Sequence, residues 1–193
     1  MSITAGLINY FMPYGNHRAN FKVLKNKKVF LVSSLTAGVW GTYYVVSEYF
    51  PSFSFYVLHQ SSIVAGSISS LLLLSSVIGG FFTFLLYRFR EKTRVIVSSV
   101  LGVLPVLLLY KYYELGLILL GIFNEMAISV IYAFVIREVG SENSSLALAE
   151  ANSLQIGLGS LELLLPYISL SNLWYLVLLA SLLPLSLLLK VLD

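Results

Sequence analysis

The sequence predicts an all-α, polytopic membrane protein: a bundle of six transmembrane helices. Three observations lead there. Hydrophobic residues make up 58% of the 193 residues and charged residues only 11%, against roughly 25% charged in a soluble globular chain. Six apolar runs are each close to the ~20 residues that a helix needs to cross hydrocarbon. The basic residues gather at alternate ends of those runs, as they do in a multi-pass protein.

Taken in order, the chain opens with a tail over residues 1–27. Ile3, Leu7, Tyr10, Phe11 and Tyr14 follow helical spacing, but Pro13 interrupts a stretch already too short to span. A short interfacial helix and a basic linker are predicted there. The first basic residue is Arg18, so the positive start of a cleaved leader is not expected. Residues 28–193 form the predicted transmembrane domain. Its spans are Val29–Tyr49, Ser62–Tyr87, Val95–Tyr110, Leu115–Ile136, Leu146–Ile168 and Leu173–Leu189. A barrel is excluded because runs such as Leu71–Leu74 and Leu161–Leu165 do not alternate in polarity.

Orientation follows from the loops. Arg18, Lys22, Lys25, Lys27 and Lys28 precede span one. Arg88, Arg90, Lys92 and Arg94 follow span two, Arg137 follows span four, and Lys190 closes the chain, with Lys111 alone on the other side. The positive-inside rule predicts a cell-membrane protein with both termini cytoplasmic. The sequon Asn143-Ser144-Ser145 then faces the cytoplasm and stays unmodified. This distribution accounts for the net charge of +3 without nucleic acid.

Polar residues are unevenly shared among the spans. Spans three and six carry no charge between their ends. Ser34, Ala37, Gly41, Tyr44 and Glu48 form a stripe on span one, and Gly121, Glu125, Ser129 and Tyr132 one on span four. Asn152, Gln155, Gly159 and Glu162 form a third on span five, and span two is rich in Ser and Gly. Charge within hydrocarbon is expensive and usually faces a protein interior or a watery cavity. Spans one, two, four and five are therefore expected to surround an interior, with three and six facing lipid. Plain helix packing through small residues competes with this reading. Glu125, near the middle of its span, is the foremost candidate for a coupling or substrate contact. Gln155, Asn152, Glu162, Tyr44 and Trp40 are the further substrate or coupling candidates. Glu48 and Glu150, near span ends, read as structural.

Spans three and six also share a motif. Pro105 and Pro184 align 79 residues apart, each in a leucine-rich stretch that ends in lysine. That agrees with a 3+3 inverted repeat, an arrangement many transporters use.

On these residues the chain resembles the carboxyl-terminal half of a major facilitator superfamily transporter, from about residue 20 to 193. The segment from Gly79-Gly80 through Tyr87-Arg88-Phe89-Arg90-Glu91-Lys92-Thr93-Arg94 is similar to a worn copy of the family's Gly-x-x-x-Asp-Arg-x-Gly-Arg-Arg loop. Arg88 and Lys92 match its basic positions, while Tyr87 stands at the aspartate and Arg90 at the loop glycine. Gln155-Ile156-Gly157-Leu158-Gly159 with Pro166 resembles the glycine-and-proline pattern of the family's fifth and eleventh helices. The resemblance implies a cytoplasmic gating loop at Arg88, Arg90 and Lys92. It also implies a solute site between two six-helix halves.

The expected function is a secondary transporter moving a small solute by alternating access, as a homodimer or with a second half. The alternative is a non-transporting membrane subunit or a truncated fragment of such a transporter. Trp40, Tyr43 and Tyr44 offer stacking surfaces for a sugar or aromatic solute.

No enzyme, cofactor or metal is expected. Cysteine is absent, and His17 and His59 are the only histidines. Asp193 is the only aspartate, so no paired carboxylates or serine–base set is legible, and no Walker loop is present. The lipid bilayer and the second half are the expected partners.

Overall fold

The computed structural model describes residues 21–192, so the predicted interfacial helix of the tail lies outside the described residues. A 3-10 turn, Phe21–Lys25, leads into six helical segments. These are α1 (Lys27–Tyr56), α2 (Ser62–Leu86), α3 (Glu91–Tyr110), α4 (Tyr113–Val139), α5 (Ser144–Gly159, continued by the 3-10 turn Ser160–Tyr167) and α6 (Leu173–Val191). Five of them, all but α5, are long and apolar enough to cross a membrane. Glu150, Asn152, Gln155 and Glu162 make α5 the polar one of the six. No strand occurs among the described residues.

Local chemistry sets the helix ends. Asn26 caps α1, its Oδ1 accepting from the N–H groups of Lys28 and Val29 at 3.0 and 3.2 Å. Ser61 caps α2 through Val64 N at 3.4 Å. Gly140 ends α4 at φ 78°, a backbone conformation that a Cβ disfavours. Within α1 the turn at Thr36 breaks the regular ladder, and the Thr36 hydroxyl donates back to Val32 O at 2.8 Å. Back-bonding of this kind bends helices.

Two helices form the centre. The most apolar stretch of α1 is 61% buried and that of α4 56%, against 44% for α3, 28% for α6 and 11% for α2. α1 packs along α5 and α6, and α4 packs along α2 and α3. Each close crossing uses a small residue. A Cβ on Gly159 of α5 would sit 2.7 Å from Ala37 O of α1, and one on Gly79 of α2 would sit 2.6 Å from Glu125 Cβ of α4. Gly102 of α3 meets Ala127 and Asn124 of α4, and Gly38 of α1 meets Ser181 of α6. Apolar helices gain little from burial when lipid is the alternative, so this close approach supplies much of the attraction.

Two apolar clusters stack along the bundle. One holds Val29, Val32, Val39, Val103, Ile131, Phe134, Leu185 and Leu188. The other gathers Phe50, Phe53, Leu109, Leu117, Leu120 and Trp174. Phe53 meets the Trp174 ring edge-on at 5.0 Å.

The predicted spans agree with the helices to within a few residues, apart from α1, which runs seven residues further to Tyr56 past Pro51. Their environments are less well matched. α3, expected at the lipid face, buries Val95, Val103, Val106 and Leu109, and α6 buries Trp174 and Ser181. α2, expected to line an interior, is the least covered helix. Leucine and valine suit lipid and protein alike, so composition does not separate the two surroundings.

The glycine packing makes a prediction. Gly159→Leu should push α5 off α1 and cost about 1–3 kcal/mol, the usual penalty of overpacking. Gly157→Leu, two residues away where a Cβ meets nothing within 4 Å, should be tolerated. Thermal unfolding in detergent compares the two variants.

Candidate functional site

Between the two apolar clusters lies a layer of buried polar residues: Thr42 on α1, Asn124 on α4, Glu162 at the α5 end and Ser181 on α6. Hydrocarbon supplies no hydrogen bonds, so such groups must find partners within the protein. Asn124 Nδ2 donates to Val39 O at 2.6 Å and to Gly102 O at 3.2 Å, tying α4 to α1 and α3. Ser181 Oγ lies 2.9 Å from Thr42 Oγ1 and 3.1 Å from Gly38 O. It also lies 3.0 and 3.1 Å from the two carboxyl oxygens of Glu162. About two turns along, Gln155 Nε2 donates to Thr36 Oγ1 at 2.9 Å.

A second group of residues sits on the same helices but faces outward. Trp40 and Tyr44 of α1 stack at 5.4 Å, with Tyr43 edge-on to Trp40 at 6.3 Å. Tyr132 of α4 lies near Trp40, Tyr44 and Glu125, and its hydroxyl donates to Asn152 Oδ1 of α5 at 2.7 Å. Trp40, Tyr44, Glu125, Tyr132 and Asn152 are all half-buried. Glu125 leans its stem on Gly79, which lets α2 approach. This wall of two aromatic faces, a phenol, an amide and a carboxyl can stack on a flat solute and accept hydrogen bonds from it.

The six predicted substrate or coupling residues therefore divide. Trp40, Tyr44, Glu125 and Asn152 come together in the open wall. Gln155 and Glu162 turn instead into the bundle against α1, as does the rest of their stripe at Gly159. Sequence reasoning missed Asn124, Thr42 and Ser181. A hydroxyl on a transmembrane helix usually bonds its own backbone, as Ser69, Ser70 and Ser76 do here, so spacing does not mark the ones that cross to a neighbour.

Among the described residues, all the basic ones except Lys111 share one end of the bundle. Arg137 bonds Glu91 at 3.1 Å, joining α4 to α3, and Lys28 pairs with Glu138 at 3.6 Å, joining α1 to α4. Lys92 Nζ donates to Leu189 O at 2.9 Å, so this predicted gating residue bridges α3 and α6, while Arg88 and Arg90 are exposed. Tyr87 lies under the Arg94 guanidinium at 6.0 Å. A cleft of about 400 Å³ opens beside them between α2 and α4, lined by Thr83, Tyr87, Arg94, Ser129 and Arg137 among others. No group of metal-ligating side chains occurs among the described residues.

Comparison with protein-family models, curated proteins and solved structures finds no match to this chain.

Thr36 and Gln155 provide a direct test of the internal ties. Thr36→Val and Gln155→Leu, combined in a double-mutant cycle on thermal or denaturant unfolding, should show a favourable coupling of about 0.5–1.5 kcal/mol, the usual range for interhelical hydrogen bonds in membranes. Additive losses would mean that the two side chains do not support each other.

Proposed function

We propose that the chain is a six-helix half of a secondary membrane transporter, moving a small solute by alternating access against a second six-helix unit. The observation that carries this reading is the outward wall of Trp40, Tyr44, Glu125, Tyr132 and Asn152. A carboxyl and an amide turned toward lipid at that depth would be costly. They are at ease beside a water-filled space closed by another protein surface, which is where solute binds in transporters built from paired halves. The second unit is another copy of this bundle or a different six-helix half.

Internal pairing of the helices supports a 3+3 inverted repeat, with α1 answering to α4, α2 to α5 and α3 to α6. Gly79 of α2 and Gly159 of α5 each end a regular α-helix, and each is followed by a 3-10 stretch, Gly80–Leu86 and Ser160–Tyr167. Gly79 packs on α4 as Gly159 packs on α1. Gly102 of α3 faces α4 as Ser181 of α6 faces α1, and Pro105 and Pro184 hold equivalent places beyond them. The resemblance to the major facilitator superfamily belongs to this same proposal and rests on the loop after α2 and the motif of α5.

The basic end supports a cytoplasmic location for both termini in a cell membrane, by the positive-inside rule. Thr83, Tyr87, Arg94 and Arg137 then surround a cytoplasmic mouth between α2 and α4.

Flux into liposomes tests the proposal. Electrogenic or radiotracer uptake over a panel of sugars, organic acids, drugs and peptides should find a saturable solute. Trp40→Ala and Asn152→Ala should weaken its apparent affinity by about tenfold or more, the effect of losing roughly 1.4 kcal/mol of contact. Silence across the panel, from protein shown to be folded, contradicts transport and favours the non-transporting subunit.

A further inference from the structure

Glu162 is the buried carboxyl that the solute wall does not use. It is 7% exposed, in the mid-bundle layer between α1, α5 and α6. A Cβ on Gly41 would run into its carboxyl carbon, so α1 has kept a glycine where the acid needs room. Among the described residues no cation lies against it. No Lys or Arg occurs between residues 29 and 87 or between 138 and 189, the stretches that hold all of α1 but its first two residues, α5, and all of α6 but its last turn. On the adjoining Leu163, the backbone carbonyl accepts from the Tyr49 hydroxyl of α1 at 3.3 Å, with Tyr167 and Glu48 near that phenol. From α6 the only polar side chain facing it is Ser181.

Burial without a counter-charge favours the protonated acid. Ser181 has one proton and four acceptors within reach: both carboxyl oxygens, Gly38 O and Thr42 Oγ1. An ionised Glu162 would receive at most that one donor from the protein, leaving a buried charge without a counter-charge, an arrangement costing several kcal/mol. With the carboxyl protonated, each donor has an acceptor. Glu162 O–H donates to Ser181 Oγ, Ser181 O–H donates to Gly38 O, and Thr42 O–H donates to Ser181 Oγ. A cleft of about 330 Å³, lined by Ser34, Gly38, Leu158, Leu161 and Pro184, reaches the carboxyl and is wide enough to admit water.

We propose that Glu162 is a proton-binding site and that the proton it carries is the coupling ion, with Ser181 and Thr42 as its positioning residues. In the arrangement seen, the acid is neutral and locks α5 and α6 onto α1. When α5 moves away from α1, water enters the cleft and the carboxyl O–H bond breaks. The proton leaves to water, and the carboxylate is solvated until it is protonated again. Glu125, in the open wall, is then left for the solute. The coupling role rests on the transporter reading above, whereas the proton site does not.

Infrared difference spectroscopy of the full chain in lipid nanodiscs, titrated with acid and base, reads the carboxyl directly. A protonated carboxylic acid has a C=O band separate from those of carboxylates. The expected result is such a band that is lost in Glu162→Gln, shifted in Ser181→Ala and kept in Glu125→Gln, and that gives way to carboxylate at high pH. A band identical in wild type and Glu162→Gln, or none in the wild type, overturns the proposal. Loss of the band on adding Na⁺ at fixed pH overturns it in favour of a metal-cation site. Because this measurement needs no solute, a Glu162 band without flux contradicts the transporter reading alone. Flux without a band contradicts the proton site alone.

Discussion

Inside a bilayer a polar group has no water to fall back on, and the arrangement of this bundle follows from where its polar groups find partners. The ties cross between helices in one mid-bundle layer, with one more displaced along α1 and α5. Asn124 holds α4 to α1 and α3, Ser181 holds α6 to α1 and to the end of α5, and Gln155 holds α5 to Thr36. Elsewhere most of the helix contacts are apolar and fix position weakly, because lipid is as good a neighbour for leucine as protein is. The glycines at 38, 41, 79, 102, 121 and 159 bring the backbones close enough for the polar bonds to form. Close packing and hydrogen bonding are thus one device, and α1 and α4 are central because both kinds of contact converge on them.

The same logic separates two kinds of polar residue on one helix. On α5, Gln155 and Glu162 turn inward and are bonded, while Asn152 turns to the outer wall and meets Tyr132. On α1, Thr36 and Thr42 are buried, and Trp40 and Tyr44 are half-covered. The second set gives the bundle one tie, Tyr132 to Asn152, and otherwise leaves aromatic faces and a carboxyl half-covered. A bundle that closes a watery space against another unit gains a lining, and α2, with 11% of its apolar stretch buried, is the helix with most surface left for such a contact.

Much of the fold is legible in the sequence because long apolar runs can only be helices in lipid. The gathering of Arg88, Lys92, Arg94 and Arg137 at one end follows from the alternation of spans. Burial is less legible, because Val103, Val106 and Leu109 of α3 read the same whether they meet lipid or α4. The partners of hydroxyls are not legible at all. Ser181 is one of many serines, and its role appears only when Gly38, Thr42 and Glu162 stand around it. Periodicity put Glu125, Asn152, Gln155 and Glu162 on inward stripes, but a stripe spans enough of a helix to serve two neighbours. The division between the wall and the core is a property of the packing.

On the proposed reading, the wall of Trp40, Tyr44, Glu125, Tyr132 and Asn152 faces a second six-helix unit, with α2 flanking the junction. Since the natural chain has no cysteine, single cysteines can be placed without background. The direct measurement is cross-linking in native membranes, followed by mass determination in nanodiscs, of Val77→Cys on the open face of α2 and Leu183→Cys on the outer face of α6. The account predicts a specific cross-linked species, to a second copy or to another six-helix protein, from position 77 and none from position 183. Equal reaction at both positions, or a monomeric mass with neither cross-linked, would contradict it, because the wall would then face lipid.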